Sequence, residues 1–294
     1  MSSPTGSSAG CKINLRLKVT SVRPDGYHDL DTIFLPVAFP CDRIRMDFAA
    51  GEGIAFECDR FSSEDTENNL AVKAARLYAK KAQIVPEWKI SLEKNIPIAA
   101  GLGGGSSDAG CVLSLLNEHY RKFSPSELAE IAVSLGADVP FFLERRPVRA
   151  TGIGEKFSDF VIPGQMPEIL LVYPGFPVSA KWAYQNLDAG CIGEGVPISP
   201  DDYAAAFAAP ETADWDELLR NDLTVALWKK FPLCRLIKDF ILSHGGWAVQ
   251  FSGSGSSLFA LFGDAGSAAD CAAGLRNSQY GSSCTRIFTR DKEW

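Results

Sequence analysis

The thirteen residues from Pro97 to Ala109, Pro-Ile-Ala-Ala-Gly-Leu-Gly-Gly-Gly-Ser-Ser-Asp-Ala, constrain the fold more than any other stretch of the chain. Before them, Trp88-Lys89-Ile90-Ser91-Leu92 alternates apolar and polar as a half-buried strand does. Within and after them Ala109, Val112, Leu113, Leu116 and Tyr120 recur at helical spacing on one face. The order is therefore strand, glycine-rich loop, buried helix. A helix N-terminus carries unpaired N–H groups and about half a positive charge, and glycines let that backbone close on an anion without a Cβ in the way. Two readings stand at this point: a cradle for a polyphosphate, or a flexible loop ahead of a core helix. No Lys-Ser/Thr follows the glycines, so this is not a Walker A loop. Gly101-Leu102-Gly103-Gly104-Gly105-Ser106 also lacks the last glycine of a dinucleotide fingerprint.

Bulk properties narrow the partners. The 294-residue chain exceeds one typical core, so one large or two medium domains are expected. A net charge of −7 disfavours nucleic acid and anionic membranes as partners, so polyphosphate attraction has to come from local features. No apolar run approaches the ~18–20 residues of a membrane span. Residues 1–10 are rich in Ser and Gly without an apolar core, so no secretory signal is read there and the cytoplasm is the expected location. The eight cysteines include no C-x-x-C pair and are expected to be free thiols.

Residues 11–21 alternate along a strand with Lys12, Asn14, Arg16 and Lys18 on one face, which for an ordinary strand would be the solvated one. Arg23-Pro24-Asp25-Gly26 is a turn, and residues 27–37 return as a second strand, with shorter strands expected near 43–48 and 54–57. Asn68 or Asn69 caps a helix in which Leu70, Ala74, Leu77 and Tyr78 share a face. Ser124, Pro125 and Glu127 form a capping box, and Gly136 stands where a left-handed C-terminal residue belongs. Asp138 follows, either a turn aspartate bonding its own backbone or a carboxylate kept for chemistry. Residues 151–154 and 163–167 look like connection, and 188–215 like the least structured part. Helices near 222–230 and 233–243, a hairpin turned by Ser252-Gly253-Ser254-Gly255-Ser256, a helix over 266–276 and a strand over 284–289 complete an α+β reading. The Ser252–Ser256 turn is either a plain hairpin loop or a second loop offering N–H and hydroxyl groups to a phosphate.

Together these blocks resemble the GHMP family of small-molecule kinases. The resemblance rests on Lys12-Ile13-Asn14-Leu15, Arg23-Pro24-Asp25-Gly26-Tyr27-His28, the Pro97–Ala109 loop in a triple-glycine form, Leu135-Gly136-Ala137-Asp138-Val139-Pro140, and the Gly253-Ser254-Gly255 motif. It spans nearly the whole chain but is poor over 176–215. Cys11 and Gly110 stand where alanine is common, and neither change removes a polar group.

The resemblance implies two domains, residues 1–160 of ribosomal-S5-domain-2-like fold for ATP and 161–294 of ferredoxin-like α/β-plait fold, with the active site in the cleft between them. It implies ATP carried as its Mg²⁺ complex, with the metal ligands unassigned, and an acceptor that is a cytidine-diphosphate-linked polyol. Asp138 would be the base, with Lys12 beside it. Asn69, Leu70 and Lys94 would line the adenine pocket, and Pro97 with Gly101, Leu102, Gly103, Gly104, Gly105, Ser106 and Ser107 would hold the nucleotide and its phosphates. Asn14, Tyr27, His28, Tyr184, Gly253, Ser254 and Gly255 would bind the acceptor, with Tyr27 and Tyr184 stacking on cytosine and His28 reading its edge. The alternatives are a kinase of the same family acting on mevalonate, homoserine or a sugar, and a nucleotide-binding regulator without catalysis.

Overall fold

The computed structural model describes residues 5–60, 63–281 and 286–289. Contacts group the chain into two compact units. The first is residues 1–11, 40–98 and 103–146; the second is 12–39, 99–102 and 147–294. Two long strands, β1 (Thr5–Val22) and β2 (His28–Asp47), contribute residues to both.

In the first unit the end of β2 pairs antiparallel with β4 (Glu87–Glu93), and β4 pairs parallel with β3 (Gly53–Cys58). A parallel pair needs a crossover, and helix α1 (Leu70–Ala82) supplies it. Asn69 starts α1 by accepting a hydrogen bond from the Ala71 N–H at 2.9 Å. On β4, Trp88, Ile90 and Leu92 point into the core, where they meet α1 and α2 (Gly104–Tyr120). The other face carries ion pairs such as Lys89–Glu57 at 2.7 Å. Helix α3 (Pro125–Val133) opens with the expected capping box, and a short α4 (Phe141–Glu144) follows. Gly136 is not left-handed: α3 ends on the right-handed Ser134, and the Gly136 N–H returns to Ala132 and Val133 without a reversal of φ.

In the second unit the start of β2 pairs antiparallel with β5 (Val148–Gly152), which hairpins into β6 (Lys156–Asp159). A four-stranded antiparallel sheet, ordered β10-β7-β9-β8, is built from β7 (Glu168–Tyr173), β8 (Ala248–Phe251), β9 (Leu258–Phe262) and β10 (Arg286–Phe288). Between β7 and β8 run α5 (Ala180–Gln185), α6 (Pro200–Ala208), α7 (Trp215–Leu218), α8 (Thr224–Lys230) and α9 (Pro232–Ser243). Helix α10 (Ala265–Asn277) lies between β9 and β10. Ile237 and Ile241 of α9 and Ala272 and Leu275 of α10 close a core over Leu170, Val249 and Phe262.

Four readings of the chain change here. The expected strand at 43–48 is the end of an unbroken β2, which passes through Pro36 and Pro40. The stretch 151–154 belongs mostly to the β5–β6 hairpin. Residues 188–215 carry α6, whose Ser199 and Asp202 form a second capping box around Pro200. Most of the polar face of β1 is buried: residues 195–217 cover its far end, where Arg16 donates to Val196 O and Glu217 and the half-buried Lys18 to Gly195 O at 2.9 Å. The start of the strand expected at 284–289, like residues 1–4 and Cys284, lies outside the described residues. The seven described cysteines are free thiols, and no helix among the described residues is long and apolar enough to cross a membrane.

Candidate active site

Within the second unit, the first part of the glycine-rich loop is docked on three other segments by backbone bonds. Leu102 O accepts from the Lys12 N–H at 3.0 Å, Ala100 O from Ser257 at 3.1 Å, and Ala99 O from Val178 at 2.9 Å. The Ser252 hydroxyl donates to Gly101 O at 2.8 Å and accepts from the Asn14 N–H at 3.3 Å. Gly101 has φ +78°, and a Cβ there would stand 2.0 Å from Ser252 O. Only glycine permits that approach. The Ser252–Ser256 turn joins β8 to β9, as the plain hairpin reading expects, and it also packs its small residues against the glycine loop. Asn221, buried and not singled out from sequence, fixes it by donating to Phe251 O at 3.0 Å and Gly253 O at 2.8 Å.

Lys12 and Asn14 share a face of β1, as the alternation requires. The Lys12 ammonium donates to Asn14 Oδ1 at 2.5 Å and lies 4.6 Å from the Phe34 ring centre. Asn14 Nδ2 donates to the Thr32 hydroxyl at 2.8 Å. A Cβ on Gly253 would come within 3.0 Å of Asn14 Oδ1, so that glycine gives the amide its room. His28, at the start of β2, lies 4.9 Å from the Tyr184 ring of α5, with the planes tilted by 32°. Tyr27 sits on the preceding turn with 60% of its surface exposed, its N–H bonded to Asp25. An aromatic with that exposure is a natural stacking platform.

Within the first unit, Gly103 turns left-handed at φ +71° and α2 begins at Gly104. A Cβ on Gly104 would stand 2.9 Å from Ile96 Cγ2 and 3.4 Å from Lys94 Nζ; one on Gly105 would touch Leu70 at 3.5 Å. Asn69, Leu70, Lys94 and the first turn of α2 are therefore neighbours, and Pro97 is buried ahead of them. Ser107 is committed to the fold, donating to Gly10 O at 2.5 Å, while Ser106 is half-buried and Gly105 exposed.

Lys94 is 4% exposed and bridges Asp42 and Asp108, the latter at 2.7 Å. Burial pulls its pKa down, but the two carboxylates outweigh that and hold it above the ordinary lysine value. Desolvation pushes the Asp108 carboxyl up to about 8 against the pull of Lys94, and Asp108 Oδ1 has no hydrogen-bond partner. Asp42 Oδ1 also accepts the N–H groups of Asn95 and Ile96, at 2.6 and 2.8 Å. The triad thus fixes the turn that feeds the loop and sets a positive charge beside Gly104. Asp42 and Asp108 were not singled out from sequence.

Asp138 is half-buried in the turn between α3 and α4. That turn is seated on α2 at Gly110, where a Cβ would stand 2.8 Å from Phe142 Cβ and 3.4 Å from Val139 O. The glycine that departs from the commoner alanine is what permits the close packing.

Residues 69–145 match the family described as GHMP kinases N terminal domain. The 4-diphosphocytidyl-2-C-methyl-D-erythritol kinase of Syntrophotalea carbinolica is 39% identical over 269 residues, covering 91% of this chain and 92% of its own. The chain belongs to the GHMP kinases. Among solved structures, a 4-(cytidine 5'-diphospho)-2C-methyl-D-erythritol kinase superposes on this GHMP kinase with a TM-score of 0.82. It is 32% identical and covers 97% of this chain and 98% of that one. The homoserine kinase of Cytophaga hutchinsonii shares the fold at TM-score 0.72 and 16% identity, over 100% of this chain and 96% of its own. The α+β, two-sheet architecture is that of the GHMP kinases.

Proposed function

We propose that this kinase transfers the γ-phosphoryl group of ATP to the 2-hydroxyl of 4-diphosphocytidyl-2-C-methyl-D-erythritol, a step in isoprenoid precursor synthesis in the cytoplasm. The observation that carries this is the 39% identity to an enzyme of that name over nine-tenths of both chains. The packed His28–Tyr184 pair beside an exposed Tyr27 adds to it, because an aromatic cluster suits a cytosine ring.

Phosphoryl transfer demands in-line placement, neutralised oxygens and removal of one proton. The N–H groups of Gly104, Gly105 and Ser106, at the start of α2, face the phosphates, and Asn69, Leu70 and Lys94 lie beside the adenine. Asp138 takes the proton of the acceptor hydroxyl, help worth about 10²–10⁴-fold. Lys12 stabilises charge on the oxygens in transit. Asn14 and the Gly253–Gly255 turn orient the polyol, while Tyr27, Tyr184 and His28 hold the cytosine. No group of three His, Cys, Asp or Glu side chains disposed to hold a metal occurs among the described residues. An Mg²⁺ that arrives on ATP would take most of its ligands from phosphate oxygens and water and would need only one or two protein groups. Ser106 is the hydroxyl left to serve, since Ser107 is spent on Gly10. When bound, the ion neutralises phosphate charge.

The test is to incubate the protein with MgATP and, separately, the cytidine-diphosphate polyol, mevalonate, homoserine and galactose, and to follow ADP. Turnover confined to the first acceptor is expected. Turnover with another acceptor, or with none, overturns the reading.

A further inference from the structure

Thr32 stands outside every role assigned above, yet it is fully buried and its hydroxyl joins two strands. It donates its one proton to Arg16 O at 2.6 Å, since a carbonyl can only accept. Toward Asn14 it therefore presents a lone pair, and only the NH₂ end of that amide can meet it, as Asn14 Nδ2 does at 2.8 Å. The amide orientation is thereby settled. Its oxygen is turned to the Lys12 ammonium, which has three donors and no acceptor. A flipped amide would set NH₂ against NH₃⁺ and oxygen against lone pair, two mismatches at a site where Lys12, Asn14 and Thr32 are all at least 95% buried. Each bond in the series Arg16 O, Thr32, Asn14, Lys12 has one donor direction, and Thr32 is the link tied to a main-chain carbonyl.

We infer that Thr32 is a positioning residue for phosphoryl transfer: through the Asn14 amide it holds the Lys12 ammonium in register with the Gly101–Leu102 segment. That segment is itself bonded to the Lys12 N–H and the Ser252 hydroxyl. The inference rests on the reading of Lys12 as a group that acts in transfer.

Thr32→Val keeps the shape and removes the hydroxyl, so the Asn14 side-chain amide loses its bond to β2 and keeps the one to Lys12. The expected result is a kcat about tenfold or more below that of the unaltered protein, the size of one lost buried hydrogen bond. The ATP KM should change by less than about twofold, because no ATP contact is touched. Thr32→Ser, which keeps the donor, should restore most of kcat. In an Asn14→Ala background Thr32→Val should lower kcat no further, whereas a general loosening of the fold would act in both backgrounds. Should Thr32→Val not fold, Thr32→Ala, which also removes the hydroxyl, carries the same expectation. Unaltered kcat in folded Thr32→Val or Thr32→Ala overturns the inference, as does an equal loss in both backgrounds. Lys12→Met is measured alongside. If it turns over normally, the transfer role of Lys12 fails and the inference with it; if it loses activity while the Thr32 variants keep theirs, the inference alone fails.

Discussion

Replacing Asp108 by Asn should change how the protein's stability depends on pH. The carboxyl lies in the second turn of α2, 2% exposed, with one oxygen on Lys94 and the other without a partner. Its pKa is raised from 3.8 to about 8, chiefly by desolvation. Between those two values the folded protein holds a proton that the unfolded chain has released. Stability then falls as pH rises through the window, by about 1.4 kcal/mol per pH unit for one proton. Asn is neutral throughout, nearly the same shape, and contributes no such slope. The stability of Asp108→Asn relative to the unaltered protein should therefore rise by about 2–3 kcal/mol between about pH 5 and pH 7. It should level off above about pH 8, once both states of the aspartate protein have released the proton. Urea unfolding of both proteins across this range measures the difference, and all other titrating groups cancel in it. A difference that stays constant with pH would show that Asp108 is ionised in the folded protein and that the Lys94 ammonium faces two full negative charges.

Gly101→Ala puts a Cβ 2.0 Å from Ser252 O at a left-handed residue. It should cost about 1–3 kcal/mol in thermal unfolding and raise the ATP KM; an unchanged melting temperature would mean that the loop is not docked there. Asp138→Asn should fold, bind both ligands in titration calorimetry and turn over at least about 10²-fold more slowly, and near-normal turnover would retire it as the base. Tyr184→Ala removes one ring from the packed pair with His28, so the acceptor KM should rise about five- to hundredfold while the ATP KM holds. Equal KM changes for both substrates would place Tyr184 elsewhere in the reaction.

Local signals in the chain were read well where the chemistry that decides structure is itself local. Asn69, Ser124, Pro125 and Glu127 start their helices through bonds spanning two or three residues. Helix α6 obeys the same grammar with Asp202 in place of Glu, but the Ala- and Pro-rich run around it hid the pattern. Strand β2 continues through two prolines because its ladders with β4 and β5 lie on either side of them, at 43–47 and 30–34. The burial of Arg16 depends on a segment about 180 to 200 positions away, and that of Asn14 on Thr32 and the still more distant Ser252, and no periodicity in β1 reports either. Asp42, Lys94 and Asp108 meet across separations of 52 and 14 residues. The glycine loop and the resemblance brought Lys94 to notice. Nothing in one sequence ties it to two aspartates.

Gly110 has a consequence for how this chain can change. The hydrogen atom it carries in place of a side chain leaves just enough room for Phe142 and for the carbonyl of Val139. Substituting even alanine would thrust against Phe142 Cβ, which is anchored to main chain and has no rotamer by which to retreat. The whole bend from 138 to 142 would have to lift, and the aspartate with it. Because those contacts are a Cβ and main-chain atoms, no smaller side chain at 142 short of glycine would make room, and laboratory evolution that enlarges position 110 would carry the Asp138 carboxylate away with the bend.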